Sequence, residues 1–235
     1  MAQRMSHAEF IALMGVMFAT VAFSIDAMLP ALPEIGAELS PDDVNRAQLI
    51  LTSFVLGMGI GTFFTGPLSD AFGRKRVIIW GAGLYIASTM VALVSSSLEI
   101  VLLARVLQGI GAAAPRIVTM AIIRDLYSGR QMARIVSIAM LVFTLFPAIA
   151  PAIGAGIIAF SGWRGIFVAF VVFAALSTGW MALRLVEPLA IKDRRPFNFA
   201  QIRGGVVDMM RHPTVRLSII VQTLCLGALF SILVM

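Results

Sequence analysis

An aspartate and two arginines stand inside stretches of the chain that are otherwise almost wholly apolar, and these are the residues whose chemistry needs explaining. Asp26 ends the run "FIALMGVMFATVAFSID", about 24 Å along a helix begun at Phe10. With Ala12, Gly15, Ala19 and Ala22 it follows the spacing of a single helical stripe, so the acid tops a seam of small side chains that must face protein or a cavity. Arg105 and Arg116 stand about three turns apart on one face of another helix, and Gln108, Ala112 and Thr119 share that stripe. Facing lipid, each guanidinium would cost at least about 2.5–3.5 kcal/mol, so the face is expected to line a polar cavity. A carboxyl partly withdrawn from water, with guanidinium groups in the same bundle, is an arrangement for exchanging protons. Asp26 is therefore expected to take part in proton coupling, with Arg105, Gln108 and Arg116 tuning it or meeting substrate. The plainer alternatives are that Asp26 caps its helix near Pro30 and Pro33, and that an arginine pairs with a carbonyl or an acid.

Two further stretches carry a pattern. "GPLSDAFGRKR", residues 66–76, packs an acid and three consecutive bases into a turn between apolar runs. Asp70 is read as following the end of one helix, Gly73 as making the turn, and Arg74, Lys75 and Arg76 as opening the next. An acid so placed accepts charge-assisted hydrogen bonds from a helix N-terminus or an arginine. Gly66, Asp70, Gly73, Arg74, Lys75 and Arg76 together read as a clasp that holds one arrangement until a ligand shifts it, although Lys75 and Arg76 fit equally well as topological anchors. "PAIAPAIGAG", residues 147–156, sets Pro147 and Pro151 one turn apart and follows them with Gly154 and Gly156. That spacing predicts a bend with a small-residue face, as a gate requires.

These residues need elements to hold them, and composition says what kind. Of 235 residues 60% are hydrophobic and 13% charged, well below the roughly 25% charged content of ordinary soluble domains. Apolar runs of about 20 residues, enough to cross a hydrocarbon core of roughly 30 Å, fall at 10–29, 47–68, 77–95, 99–123, 135–160, 163–186 and 215–235. The expected fold is an all-α polytopic membrane protein, because backbone amides in lipid must be bonded within a helix or a closed barrel, and continuous apolar runs do not suit barrel strands. The first run is too long for a signal-peptide core and is not followed by a suitable cleavage site.

The 18 Lys and Arg residues orient the helices. With a cytoplasmic N-terminus, all except Arg46, Arg164 and the intramembrane Arg105 and Arg116 fall on cytoplasmic segments or helix ends, while the short outer loops carry Glu34, Glu38, Asp42, Asp43 and Glu99. That asymmetry predicts a multi-pass protein of the inner or plasma membrane. The net charge of +6 thus reflects topology, and no nucleic-acid partner is expected, since no aromatic platform interleaves the bases. One cysteine, Cys225, precludes an internal disulfide framework. His7 and His212 have no neighbours at ligand or triad spacing, so no metal, cofactor or enzymatic site is expected. Gly109-x-Gly111-x-x-Ala114 imitates a dinucleotide fingerprint, but it lies mid-span without βαβ alternation. Like Gly57-x-x-x-Gly61, it is read as allowing close helix approach.

At this point the motifs resemble something specific. "GPLSDAFGRKRV" resembles the loop 2–3 signature of the major facilitator superfamily, "LLARVLQGIGAAAPRIVTMAIIRDLY" its fourth-helix arginine motif, and "PAIAPAIGAG" the fifth-helix motif associated with antiporters. With "DAMLPALPEIG", the set is similar to the Bcr/CflA group of drug:proton antiporters, departing from it at Ala150, Ala155 and Arg116. The resemblance implies secondary active export of small drug-like or amphipathic compounds in exchange for protons, with the 66–76 clasp gating and closed in the outward-open state. It also implies a six-helix N-terminal bundle over 1–186, a cytoplasmic linker over 187–214, and the start of a second bundle at 215–235. The expected partners are a small-molecule substrate, protons, the lipid bilayer and a C-terminal half missing from this chain. A metabolite facilitator or symporter, and a truncated fragment without transport activity, are the competing readings.

Overall fold

The computed structural model describes residues 5–234, so Arg4 and Met235 lie outside it, as do the side chains of a few residues in the last two helices. The described residues are helical throughout, apart from turns. Helix α1 (His7–Asp26) starts at Ser6, whose Oγ accepts the Glu9 amide at 3.1 Å and so satisfies one free N–H of the first turn. A 3-10 turn at Leu29–Ala31, a short helix α2 (Leu32–Leu39) and a second 3-10 turn at Val44–Gln48 lead to α3 (Leu49–Phe72). The long helices α4 (Arg74–Val94), α5 (Leu98–Leu126), α6 (Gly129–Ser161) and α7 (Arg164–Arg184) follow. Six helical stretches here, the first being α1 continued through α2, are long and apolar enough to cross a membrane. Their outward faces carry Leu56, Phe63, Val94, Leu103, Leu141 and Leu176 exposed, a surface suited to hydrocarbon rather than water.

Every long run read from the sequence is a helix, but the ends differ. Helix α3 continues through Pro67 to Phe72, which puts Asp70 in its last turn rather than after it. Helix α6 starts at Gly129 rather than 135, because polar residues extend a span past its apolar stretch without breaking the backbone ladder. Helix α2 was not expected. Pro30 and Pro33 look like breakers, yet each stands at the start of its helical turn, where a missing N–H removes no bond.

Close helix approach builds the bundle. A Cβ at Gly109 would collide with the Phe54 carbonyl, and one at Gly57 with the Val106 carbonyl, so α3 and α5 meet backbone to backbone. Helix α4 fits the other side of α5 and also packs on α7, while α1 packs on α6. Exchanging the first three spans with the last three maps α3–α5 onto α6–α1 and α4–α5 onto the lesser α7–α1 contact, the pairing expected of an inverted repeat.

The first compact unit is Met1–Arg195 and the second is Pro196–Met235. The first runs past 186 because the segment after α7 is hydrogen-bonded to the α3–α4 turn, described below. Within the second unit, α8 (Phe199–Arg211) occupies much of the expected linker, and α9 (Pro213–Val234) begins with Pro213 in its first turn.

Candidate functional site

The 66–76 motif folds as a turn that gathers four parts of the chain. Gly73 takes φ of +102° between α3 and α4, a backbone conformation that L side chains rarely adopt. A Cβ there would also press on Glu187 and Arg194. Arg74 comes out of this turn buried. Its Nη1 donates to Ser69 Oγ at 2.6 Å and to Asp70 Oδ1 at 2.5 Å, and its Nε to Asp125 Oδ2 at 2.8 Å. The backbone amides of Arg74 and Lys75 donate to the two oxygens of Glu187 at 2.8 and 3.1 Å, so a carboxylate sits on the N-terminus of α4 where the peptide dipoles favour it. Lys75 Nζ donates to the Leu185 carbonyl at 3.1 Å, and the Arg195 amide to the Asp70 carbonyl at 3.1 Å. Arg76 is exposed, as an anchoring base would be, and at Gly66 a Cβ would meet nothing within 4 Å. Asp125 and Glu187 were missed by sequence reasoning. The available signal was an acid at each of two helix ends, "IIRDLY" and "LVEPL", on the side where bases cluster.

Arg105 and Gln108 form the second constellation. Both are fully buried. Its Nη2 donates to the Ser24 carbonyl at 2.9 Å, its Nε to the Ile50 carbonyl at 3.3 Å and its Nη1 to Gln108 Oε1 at 2.6 Å. The guanidinium carbon lies 4.5 Å from the centre of the Phe54 ring, close enough for a cation–π contact. Gln108 Nε2 donates to Thr89 Oγ1 at 2.7 Å. Ser24 Oγ spends its proton on the Thr20 carbonyl at 2.6 Å, so Tyr85 is the donor in the 2.6 Å contact between their oxygens. Carbonyls, an amide and a ring thus satisfy this cation without a carboxylate. The expectation that the whole arginine face lines a cavity fails at Arg105, because α1, α3 and α7 close over it.

Arg116 has the opposite surroundings. It is exposed to a cavity of about 570 Å³ whose wall also includes Phe18, Met120, Arg124 and Met140, together with Asp70 and Arg74 of the turn. Among the described residues its one hydrogen bond is from Nη1 to Met58 Sδ at 3.4 Å.

Asp26 is half-buried and, among the described residues, makes no hydrogen bond or ion pair. Gly15, Ala19 and Ala22 of its seam are buried and Ala12 is exposed. Neither arginine reaches it, since Arg105 is held by Ser24 one half-turn earlier. Helix α6 does reach the neighbourhood: a Cβ on Gly154 would collide with the Ala27 carbonyl. Around Gly156 there is open space, and α6 remains one continuous helix through Pro147 and Pro151.

Paired half-repeats, a charged turn between the second and third spans, and a buried arginine in the fourth define a secondary transporter bundle. The model of the Major Facilitator Superfamily matches residues 13–235, and the chain belongs to that family. It is 32% identical to the bicyclomycin resistance protein homolog of Haemophilus influenzae, over 98% of this chain and 58% of the relative. It is 33% identical to the chloramphenicol resistance protein of Pseudomonas aeruginosa, over 75% of this chain and 43% of that protein. Among solved structures it resembles the human organic anion transporter MFSD10, with a TM-score of 0.70 and 18% identity over 83% of this chain and 52% of that one. The chain spans about half the length of the relatives it matches. It is a multi-pass membrane chain of this family, related to proteins named for bicyclomycin and chloramphenicol resistance.

Proposed function

We propose that the transporter to which this chain contributes exports small drug-like or amphipathic compounds in exchange for protons, with Asp26 as a proton-carrying group and the 66–76 turn as its inner gating clasp. The observation that carries the reading is Asp26 itself: a carboxyl in a membrane span, half-buried, with no described partner, beside the point where α6 presses on α1. Intramembrane acids without a structural partner are costly and are kept for function. Relatives named for bicyclomycin and chloramphenicol resistance support export and the substrate class. A bundle that holds either the proton on Asp26 or the substrate, but not both at once, performs antiport. The N-terminus, the 66–76 turn and the bases around it face the cytoplasm in this reading.

The test is Asp26→Asn in the whole gene product, assayed in vesicles for substrate-induced proton release and for substrate counterflow. Loss of proton release with surviving counterflow is expected. Unchanged proton release would reduce Asp26 to an interfacial residue and move the coupling elsewhere.

A further inference from the structure

We propose that Arg116 reads an anionic group on the cargo, so that the compounds carried bear a carboxylate, phosphate or sulfonate on a small apolar body. This rests on the export reading only for there being a cargo, and adds the cavity beside Arg116 as the place that holds its head group.

The argument begins with which charges in the cavity are already used. Asp70 and Asp125 both bond Arg74, at 2.5 and 2.8 Å, so the acids of the wall are spoken for. Arg116 has no carboxylate partner among the described residues, only the Met58 sulfur at 3.4 Å, and thioether sulfur is a weak acceptor. Arg124 lines the same wall and makes no described hydrogen bond or ion pair. The three arginines of the wall therefore outnumber its two acids by one charge, and Arg116 and Arg124 are the two that have no described carboxylate partner.

Their depths differ in a useful way. Arg124 is in the last turn of α5, whereas Arg116 lies about 15 Å inside the Leu126 end of that helix, well within the span. A guanidinium at that depth is tolerated where water or a polar ligand meets it. At about 570 Å³ the space falls in the range that holds a drug-sized ligand. Phe18, Ile117, Met120, Ala121 and Met140 supply apolar wall, with flexible methionines that fit apolar bodies of varied shape. An anionic head on Arg116 with an apolar body along these side chains satisfies both surfaces. Arg124 at the mouth draws such a molecule in. A planar fork of N–H donors also favours the planar, two-oxygen geometry of a carboxylate over a point charge.

The anion could belong to a cargo molecule or to a lipid headgroup, and the experiment separates them. The whole gene product is placed in phosphatidylcholine vesicles without a proton gradient. Equilibrium binding is measured for three radiolabelled probes of one shape: 4-phenylbutyrate, 4-phenylbutanamide and protonated 4-phenylbutylamine. The carboxylate is expected to bind at least about tenfold more tightly than the other two. Arg116→Gln should bring carboxylate affinity down to that of the amide, and an unaltered elution volume and thermal midpoint in detergent show that the variant is folded. Arg116→Lys should keep part of the preference, and Arg124→Gln should slow carboxylate association and flatten its salt dependence. Equal affinities in the unaltered protein, or a preference that survives Arg116→Gln, overturns the proposal. In vesicles containing phosphatidylglycerol, a lipid held at Arg116 that 4-phenylbutyrate fails to displace overturns the assignment to cargo. Because binding is read without a gradient, failure of proton coupling at Asp26 and failure of anion recognition at Arg116 give different results.

Discussion

Arg74 is the residue on which the most distant parts of the chain converge. Its guanidinium joins the last turn of α3 to the last turn of α5, and its amide is bonded by Glu187, 113 positions away. Arg46 and Glu99 form an ion pair of similar length, 3.1 Å, but with side chains 47% and 66% exposed. Burial is what separates the two cases: an exposed pair contributes about 0–1 kcal/mol, whereas hydrogen bonds from a buried charge contribute about 1.5–3 kcal/mol. Arg74→Gln should therefore lower thermal stability in detergent clearly more than Arg46→Gln. Equal midpoints would mean that the turn is held by its backbone bonds alone. Asp125→Asn keeps the shape of its partner and removes the charge. In a clasp that gates, it should reduce transport by the whole gene product at unchanged membrane insertion.

Among the helices, α6 shows how one motif divides its labour. Its two glycines stand two positions apart in an unbroken helix, but Gly154 lies against the Ala27 carbonyl and Gly156 meets open space. Overpacking a closed contact costs about 1–3 kcal/mol, and filling open space costs little. Gly154→Leu is expected to lower the yield of folded protein and its unfolding midpoint, with Gly156→Leu leaving both near the original. If the two variants behave alike, the glycines serve helix flexibility rather than the α1–α6 contact. The dinucleotide-like glycines of α5 serve the same kind of contact: the space beside Gly109 is filled by the backbone of α3.

Taken as a whole, the bundle puts its charges at two opposite ends. At one, Glu9 takes two hydrogen bonds from Arg184 at 2.7 and 2.8 Å, and the Arg74 turn joins α5 to the segment after α7. At the other, Glu38 accepts from Trp163 at 2.6 Å and from Arg164 at 2.8 Å. The base-rich end is expected in the cytoplasm. Asp43→Cys and Ser128→Cys, each in a Cys225→Ser background, should be labelled by an impermeant thiol reagent from the outer and the inner side respectively. The reverse pattern would overturn the orientation.

What the amino-acid order determined is what lipid enforces on each residue by itself. Uninterrupted apolar runs have to be helices, because backbone amides find no partner in hydrocarbon, and each run from residue 10 to residue 186 is one. Asp26, Arg105 and Arg116 were visible for the same reason, as groups that hydrocarbon excludes. How each is satisfied was decided only by the neighbours that the fold brings. Arg105 and Arg116 share one stripe, yet helices close over the first and a cavity opens at the second, since a face three turns long meets different partners at different depths. Asp125 and Glu187 stood out only as acids at helix ends among bases, and their partner was not legible, because Arg74 meets them across 51 and 113 positions. Periodicity reports which side of a helix is buried, whereas the partner that compensates a buried charge depends on which other helix arrives at that level.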